Sequence, residues 1–531
     1  MPAGTTKIKL IDSFMGGICR DDKSSIVGAG ANFEELDIFA NKDFIQAEQI
    51  MSAEASFPAS TEIYAYDGGD DDTIYGYGRK TDATAGTVRI VKTGADGGSS
   101  TPSNFTTLFT SADTTNLATR IGDMKFFRTT EAQATYLYYI KGTGTSWYLM
   151  RYNITAATEK GASSGATTPT SADQLTGLNG SFDRPTMKVI YGELFICHNQ
   201  FIAKVDKNGA FTEKAYTAPL EWQCIDIIPV SDVALVIARN KNRTMNVSRG
   251  LWWDLISTAT FDDSFAIPMG GAQWITNQKE SIRILCAING QMKVFQLLGA
   301  FPGAFPIEIP GLTLSNIGTE TSTRPISMAK MIAVKDKILY FGLLKTDKTG
   351  IYALGQLDSD KPNALILSKR FSTSDYSLHR PTALFIQGPN YYGSFDDNGT
   401  ETPMRCATLN SPTRSSNAVY ETIVIDGGEP YRNKQFQSIY VVTKPLAAST
   451  TLTVSARTDF ASAYTTVNRA DGSIFNTSGG TIAEFPLQGV AIANIAKVIQ
   501  IKIAFTSSTT NSVFLQAVLI KYVDGNIVGN D

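Results

Sequence analysis

The sequence predicts an all-β protein: a β-propeller of about seven blades over residues 56–410, then a C-terminal β-sandwich or jelly roll over residues 411–531. Residues 1–55 form an N-terminal arm ahead of them. Three observations carry this. Charged residues are only 18% of the chain while hydrophobic residues are 43% and aromatics 10%, and the remainder is rich in Thr, Ser, Gly and Asn, a mix that suits strands and turns. Short apolar strands separated by Gly, Asn, Asp and Lys turns recur through the middle of the chain. Comparable strands fall near 90, 149, 202, 252, 294, 352 and 404, a spacing of roughly 50 residues that matches propeller blades.

The arm differs in pattern from the rest of the chain. Ile8 to Ile11 reads as a short strand, and Phe14-Met15-Gly16-Gly17-Ile18 as a turn. Ala31 to Ile50 has helical character, with Phe33, Leu36, Ile38 and Phe39 apolar, and Asn41 to Met51 reads as a connector. Its weak internal core predicts that it packs on another part of the chain or on a neighbouring subunit.

The repeat is clearest in four places. Tyr136-Leu137-Tyr138-Tyr139-Ile140 and Trp147-Tyr148-Leu149-Met150-Arg151-Tyr152 flank the turn Lys141-Gly142-Thr143-Gly144. Met187 to Ile190, Glu193 to Ile196 and Phe201 to Asp206 make a second copy, and Ile282 to Ala287 with Met292 to Leu297 a third. Ala329 to Val334, Ile338 to Gly342 and Ile351 to Leu357 make the fourth. Turns such as Ile288-Asn289-Gly290 and Lys335-Asp336-Lys337 are hairpin signals. Antiparallel hairpins at this period bury their faces by stacking radially, and the Tyr and Phe residues at period two are read as packing between sheets.

Past the polar linker Ser411-Pro412-Thr413-Arg414-Ser415-Ser416-Asn417 the blade pattern stops. Tyr420 to Ile425, Phe436 to Thr443, Thr451 to Arg457, Val498 to Phe505 and Val513 to Val523 are predicted antiparallel strands. Val498, Gln500, Lys502 and Ala504 alternate with Ile499, Ile501, Ile503 and Phe505, as a half-buried strand does.

Several function classes find no support in the residues. The net charge is −3, from 47 basic and 50 acidic residues, which lacks the basic footprint of a nucleic-acid binder; lining a channel for non-specific DNA passage does not require one. No run of 18 apolar residues predicts a membrane-spanning helix, and Met1 to Lys7 lacks the apolar core of a signal peptide, so synthesis in a cytoplasm is expected. Cys19, Cys197, Cys224, Cys286 and Cys406 are scattered and form no CxxC pair, which argues against a zinc site or a disulfide framework. The last four read as small core residues; Cys19 sits in a polar turn.

Catalytic signatures are sparse. Only His198 and His379 are available to a Ser/His/Asp or Cys/His arrangement, and Cys197, next to His198, would face the opposite side of a strand. No GxSxG, HExxH, Walker A or helix-opening GxGxxG is present. A pair of glycosidase carboxylates could come from different blades, and the sequence does not say which would meet. Among acidic clusters, Asp67, Asp70, Asp71 and Asp72 in one turn are the weak candidate for a cation such as calcium, against a solvated hairpin loop; Asp396-Asp397-Asn398-Gly399 is a second acidic turn. No cofactor and no enzymatic activity are expected.

A resemblance adds to this. Phe14-Met15-Gly16-Gly17-Ile18, then Gly28, Ala29 and Leu36-Asp37-Ile38-Phe39, resembles the opening of a group of β-propeller virion proteins of tailed bacteriophages. Glu421 to Pro430, Lys434 to Ile439, Arg457-Thr458-Asp459, a closing strand over Ala493 to Ile503 and a last strand ending near Tyr522 are similar to their C-terminal part, in the same order. These motifs are short. The resemblance implies a structural role in the neck, tail nozzle, tail hub or tail tip of a virion, usually as a homo-oligomeric ring contacting other neck, tail or fibre subunits. The alternative expectation is a tail-tip module that binds a host-surface glycan or receptor without catalysis.

Overall fold

The computed structural model describes residues 5–14, 17–18, 29–41, 43–49, 51–53, 58, 61–70, 73–80, 87–93, 105–112, 123–143, 146–178, 185–242, 245–258, 263–278, 281–309, 314–315, 332–343, 349–356, 363–370, 379–388, 390–397, 404–406, 414–508 and 511–524. Their regular structure is strand, apart from one 3-10 turn at Ser171–Asp173. The chain divides into two compact units: residues 52–350 with 371–408, and residues 1–51 with 351–370 and 409–531.

The first of these units is the β-propeller. Five meandering antiparallel sheets follow one another, with first strands Thr61–Gly68, Met124–Arg128, Thr186–Ile190, Trp222–Val230 and Ala272–Gln278. The hairpin Ile332–Lys335 with Ile338–Leu343 marks the sixth blade position. The seventh sheet is His379–Gln387, Asn390–Asp397 and Met404–Cys406, and its outer place is taken by Met51–Ala53, a strand that precedes the first blade in the chain. The first strands of the first five sheets neighbour one another in order, Ile332–Lys335 neighbours His379–Gln387, and His379–Gln387 meets Thr61–Gly68.

Each blade is buried on both faces, which is why its sequence reads as continuous apolar runs. Adjacent residues on a strand point to opposite faces, and Ser248–Trp253 shows the result. Trp252 packs in the core between the fourth and fifth sheets and Trp253 in the core between the third and fourth. Similar cores lie between the first and second sheets (Tyr75, Tyr77, Leu137, Tyr139) and the second and third (Tyr138, Leu149, Met187, Leu194). Ile63, Tyr66, Ala383 and Tyr392 form the core that joins the first sheet to the last. Trp274 and Phe341 meet at 5.8 Å between the fifth and sixth positions, and Tyr340 and Tyr391 at 5.1 Å between the sixth and seventh.

The other unit is the sandwich. One sheet runs Ile482–Pro486, Lys434–Thr443, Phe514–Asp524, Ile45–Ala47 and Leu36–Asp37, with Thr5–Ile11 also antiparallel to Phe514–Asp524. The other runs from Gly350–Gly355 and Ala364–Arg370 through Ala29–Glu34, Ala418–Thr422, Ile499–Thr506 and Thr451–Thr458 to Thr465–Val467. Lys434–Thr443 and Thr451–Thr458 alternate between buried and half-buried residues along their length.

The structure corrects the helical reading of Ala31 to Ile50. Ala29–Glu34, Leu36–Asp37 and Ile45–Ala47 are strands, because Phe33 and Tyr420 oppose each other in the ladder and their rings pack at 5.1 Å. Tertiary pairing outweighs the weak local pattern. Thr5–Ile11, Ala29–Glu34, Leu36–Asp37 and Ile45–Ala47 are therefore built into this unit's sheets. The units also divide the chain elsewhere than at 55 and 410, because Leu367 pairs with Glu34.

Candidate functional site

Of the predicted cation cluster, the described residues include Asp67 and Asp70. Asp67 is buried and committed to the next blade: its Oδ1 accepts from Lys125 Nζ at 2.6 Å and its Oδ2 from the Phe126 N–H at 2.7 Å. Asp70 is exposed and paired with Arg128 at 2.7 Å. Asp71 and Asp72 lie outside the described residues, as do Asn398 and Gly399 and the side chains of Asp396 and Asp397. Among the described residues no three His, Cys, Asp or Glu side chains group as a metal site would require.

Asp67 instead exemplifies a recurring clamp that the sequence reading missed. Asp123 accepts the Met187 N–H at 2.5 Å and so joins the second sheet to the third. Asp226 accepts the Ile275 N–H at 3.1 Å and joins the fourth to the fifth. Lys188, from the third, meets the Asp226 carboxylate at 2.8 Å and donates to the Ile275 carbonyl at 3.1 Å. Each buried carboxylate satisfies a backbone donor at the inner strand of the following blade. Each stands within or just ahead of a first strand, the one positional signal that could have revealed them.

His198 is buried, with Nε2 3.3 Å from the Glu213 carbonyl. Burial pulls its pKa down to about 4, against the contacts with Glu213 that raise it, so the imidazole is neutral near pH 7. Cys197, Cys224 and Cys286 are free and buried. Burial raises all three thiols, Cys224 to about 12, which leaves them inert as nucleophiles. Cys19 and the side chains of His379 and Cys406 lie outside the described residues.

A described cleft that could take a ligand lies in the sandwich unit. It is a cleft of about 500 Å³ lined by Val424, Asp426, Pro430, Tyr431, Asp459, Phe460, Lys497 and Val498. Three segments form it, and the sequence folds each one locally. Asp426-Gly427-Gly428-Glu429 is a tight turn with φ of +62° and +84° at its glycines, closed by the Glu429 N–H on the Asp426 carbonyl at 3.2 Å. A side chain at Gly427 would strike the Tyr522 hydroxyl at 2.7 Å, so only glycine fits there. Asp426 Oδ1 takes the Gly428 N–H at 2.8 Å, which leads the chain into Pro430 and Tyr431.

The second segment is the turn Thr458–Ala461, closed by the Ala461 N–H on the Thr458 carbonyl at 3.0 Å. Its central residues, Asp459 and Phe460, have φ of +44° and +62°. Such a turn favours Asn-Gly, and a bulky residue at its second position stores about 1 kcal/mol or more of strain. The third segment, Lys497-Val498, is fastened to this turn. Asp459 Oδ1 accepts both of its N–H groups, at 2.8 and 3.2 Å, and the Asp459 N–H returns to the Val498 carbonyl at 3.2 Å.

Lys434 ties the first segment to the third. It is fully buried, and Nζ donates to the carbonyls of Glu429, Arg432 and Lys497 at 2.5, 3.0 and 3.2 Å. Burial lowers its pKa, against Asp524, Asp426 and Glu429, which raise it. The cleft therefore has a rigid frame and two unshielded aromatics, Tyr431 at 89% and Phe460 at 64% exposure.

No protein-family model matches the chain, and no curated protein does. Solved structures do match. An exo-β-1,3-galactanase from Phanerochaete chrysosporium is 7% identical, covering 90% of this chain and all of its own, with a TM-score of 0.29. The β-propeller domain of the Trilobed protease from Pyrococcus furiosus is 8% identical over 66% of this chain and 93% of its own, with a TM-score of 0.38. An α-L-arabinofuranosidase from Fusarium graminearum is 10% identical over 69% and 98%, at 0.35. One expectation is corrected by these matches. The lack of a catalytic signature predicted a protein that is not an enzyme, and with two glycoside hydrolases among the matched structures that expectation is withdrawn. At these identities and TM-scores the likeness assigns no activity.

Proposed function

We propose that the chain is a structural component of a tailed-bacteriophage virion, a subunit of the neck or tail that assembles with copies of itself and with neighbouring virion proteins. The resemblance at both ends of the sequence motivates the reading. The two ends belong to one folded unit: Phe14 of the opening phrase stacks edge-on against Tyr420 at 5.1 Å, and Gly30 pairs with Thr422 beside the similar C-terminal stretch.

The observation that carries assembly is the strand Thr5–Ile11. It pairs with Phe514–Asp524 along one side, and among the described residues no strand pairs with its other side. Ile8 and Leu10 on it are 63% and 49% exposed. An edge with open backbone groups and apolar side chains is a template for pairing with another chain. Light scattering at two concentrations tests the reading. A closed oligomer that Ile8→Lys with Leu10→Lys dissociates supports it. A monomer at both concentrations, alone and with neighbouring virion proteins, counts against it.

A further inference from the structure

We infer that the cleft framed by Asp426, Tyr431, Asp459 and Phe460 is a binding site for a neutral saccharide. The inference does not rest on the assembly reading, since its observations all come from the cleft itself.

Phe460 sits in a left-handed conformation that glycine adopts freely, and its ring is mostly in solvent. Both facts work against stability, and no ring contact of Phe460 with another aromatic is found among the described residues. Tyr431 is more exposed still. Two large aromatic surfaces held open on one cleft are unexplained by packing and fit a ligand with an apolar face.

The remaining chemistry narrows the ligand class. Asp426 and Asp459 each use Oδ1 to brace the local backbone, which orients the carboxylate and leaves Oδ2 available to accept from hydroxyls. A pyranose combines an apolar face of C–H groups for the rings with equatorial hydroxyls for the carboxylates. Two carboxylates against the single lysine Lys497 disfavour an anionic sugar. The volume of about 500 Å³ lies within the usual range of small-molecule sites, about 300–1,000 Å³. Lys434 and the Asp459 hydrogen bonds preform the walls, so little ordering is required on binding.

The test uses the full chain on an array of neutral hexose and N-acetylhexosamine oligosaccharides printed beside sulfated and sialylated ones. Retention of a neutral oligosaccharide, weakened about tenfold or more by Tyr431→Ala and by Phe460→Gly, is the expected result. Phe460→Gly should at the same time leave the unfolding midpoint unchanged or raise it, because glycine relieves the turn. That combination separates a ligand-contacting ring from a packing residue. Absence of any neutral-sugar binding, binding that both variants retain in full, or loss of binding only with a lowered midpoint would each overturn the inference.

Discussion

Replacing Asp226 with alanine removes the centre of the most connected clamp in the propeller, and the loss can be worked out from its partners. Asp226 is 1% exposed. It accepts the N–H of Ile227 at 2.9 Å and of Ile275 at 3.1 Å, and it pairs with Lys188 at 2.8 Å. Alanine leaves the donors of Ile227 and Ile275 unpaired in the interior, at about 1–3 kcal/mol each. Lys188 is half-buried and keeps its bond to the Ile275 carbonyl, so its share is the smallest. The sum falls near the 3–5 kcal/mol typical of breaking a buried pair by removing one partner, and we expect about 3–4 kcal/mol. The assay is urea denaturation followed by tryptophan fluorescence. All five tryptophans, at 147, 222, 252, 253 and 274, fall in the propeller unit, so the signal reports that unit alone. The midpoint should drop with the slope unchanged. Asp226→Ala combined with Lys188→Met should lose less than the sum of the two single changes. A loss under about 1 kcal/mol for Asp226→Ala, the size of an ordinary surface substitution, would refute the clamp as a determinant of blade packing.

Three further outcomes are expected. His198 has a folded pKa of about 4 against an ordinary 6.5, so between those values the unfolded chain binds a proton that the folded chain refuses. Stability should therefore fall as pH drops from 6.5 towards 4, by up to about 3 kcal/mol, and His198→Gln should flatten that part of the stability curve; a profile identical to wild type would exclude the assignment. Lys434→Met deprives three carbonyls of a common donor, and hydrogen exchange at Glu429 to Lys434 should accelerate while tryptophan fluorescence stays unchanged. Gly427→Ala forces a side chain against Tyr522 in a left-handed turn, and should cost about 1–3 kcal/mol, read as a lower midpoint in tyrosine fluorescence.

The propeller was legible in the sequence because each blade is buried on both faces. Six of the predicted positions, near 90, 149, 202, 252, 294 and 404, fall in the propeller strands Thr87–Lys92, Ser146–Asn153, Phe201–Val205, Ser248–Trp253, Gln291–Leu298 and Met404–Cys406, while the one near 352 falls in Gly350–Gly355, a strand of the sandwich unit's sheet. The long sandwich strands were legible from alternation, as in Ile499–Thr506. The short strand Thr465–Val467 was not, because so few residues establish no period. Leu36–Asp37 and Ile45–Ala47 were hidden for the same reason, and Ile45–Ala47 also pairs with a strand hundreds of residues away. The clamps were missed because an aspartate before or within an apolar strand looks like any turn residue. The cleft was missed because its walls come from three separate stretches, and nothing in the sequence marks Phe460 as lying in a left-handed turn.

The strand Met51–Ala53 completes the sheet that His379–Gln387 begins, pairing with Met404–Cys406. The ring is therefore fastened by a strand that precedes the first blade in the chain, joined to nearly the last part of the propeller. On a ribosome this strand must wait, unpaired, while every other blade is made. Closure is a late, long-range event, which places this propeller among slow-folding topologies and leaves an open edge available to other chains until it happens. The same fastening means that a cut before Met404 would deprive Met51–Ala53 of its partner, leaving the ring unfastened at the joint between its last blade and its first.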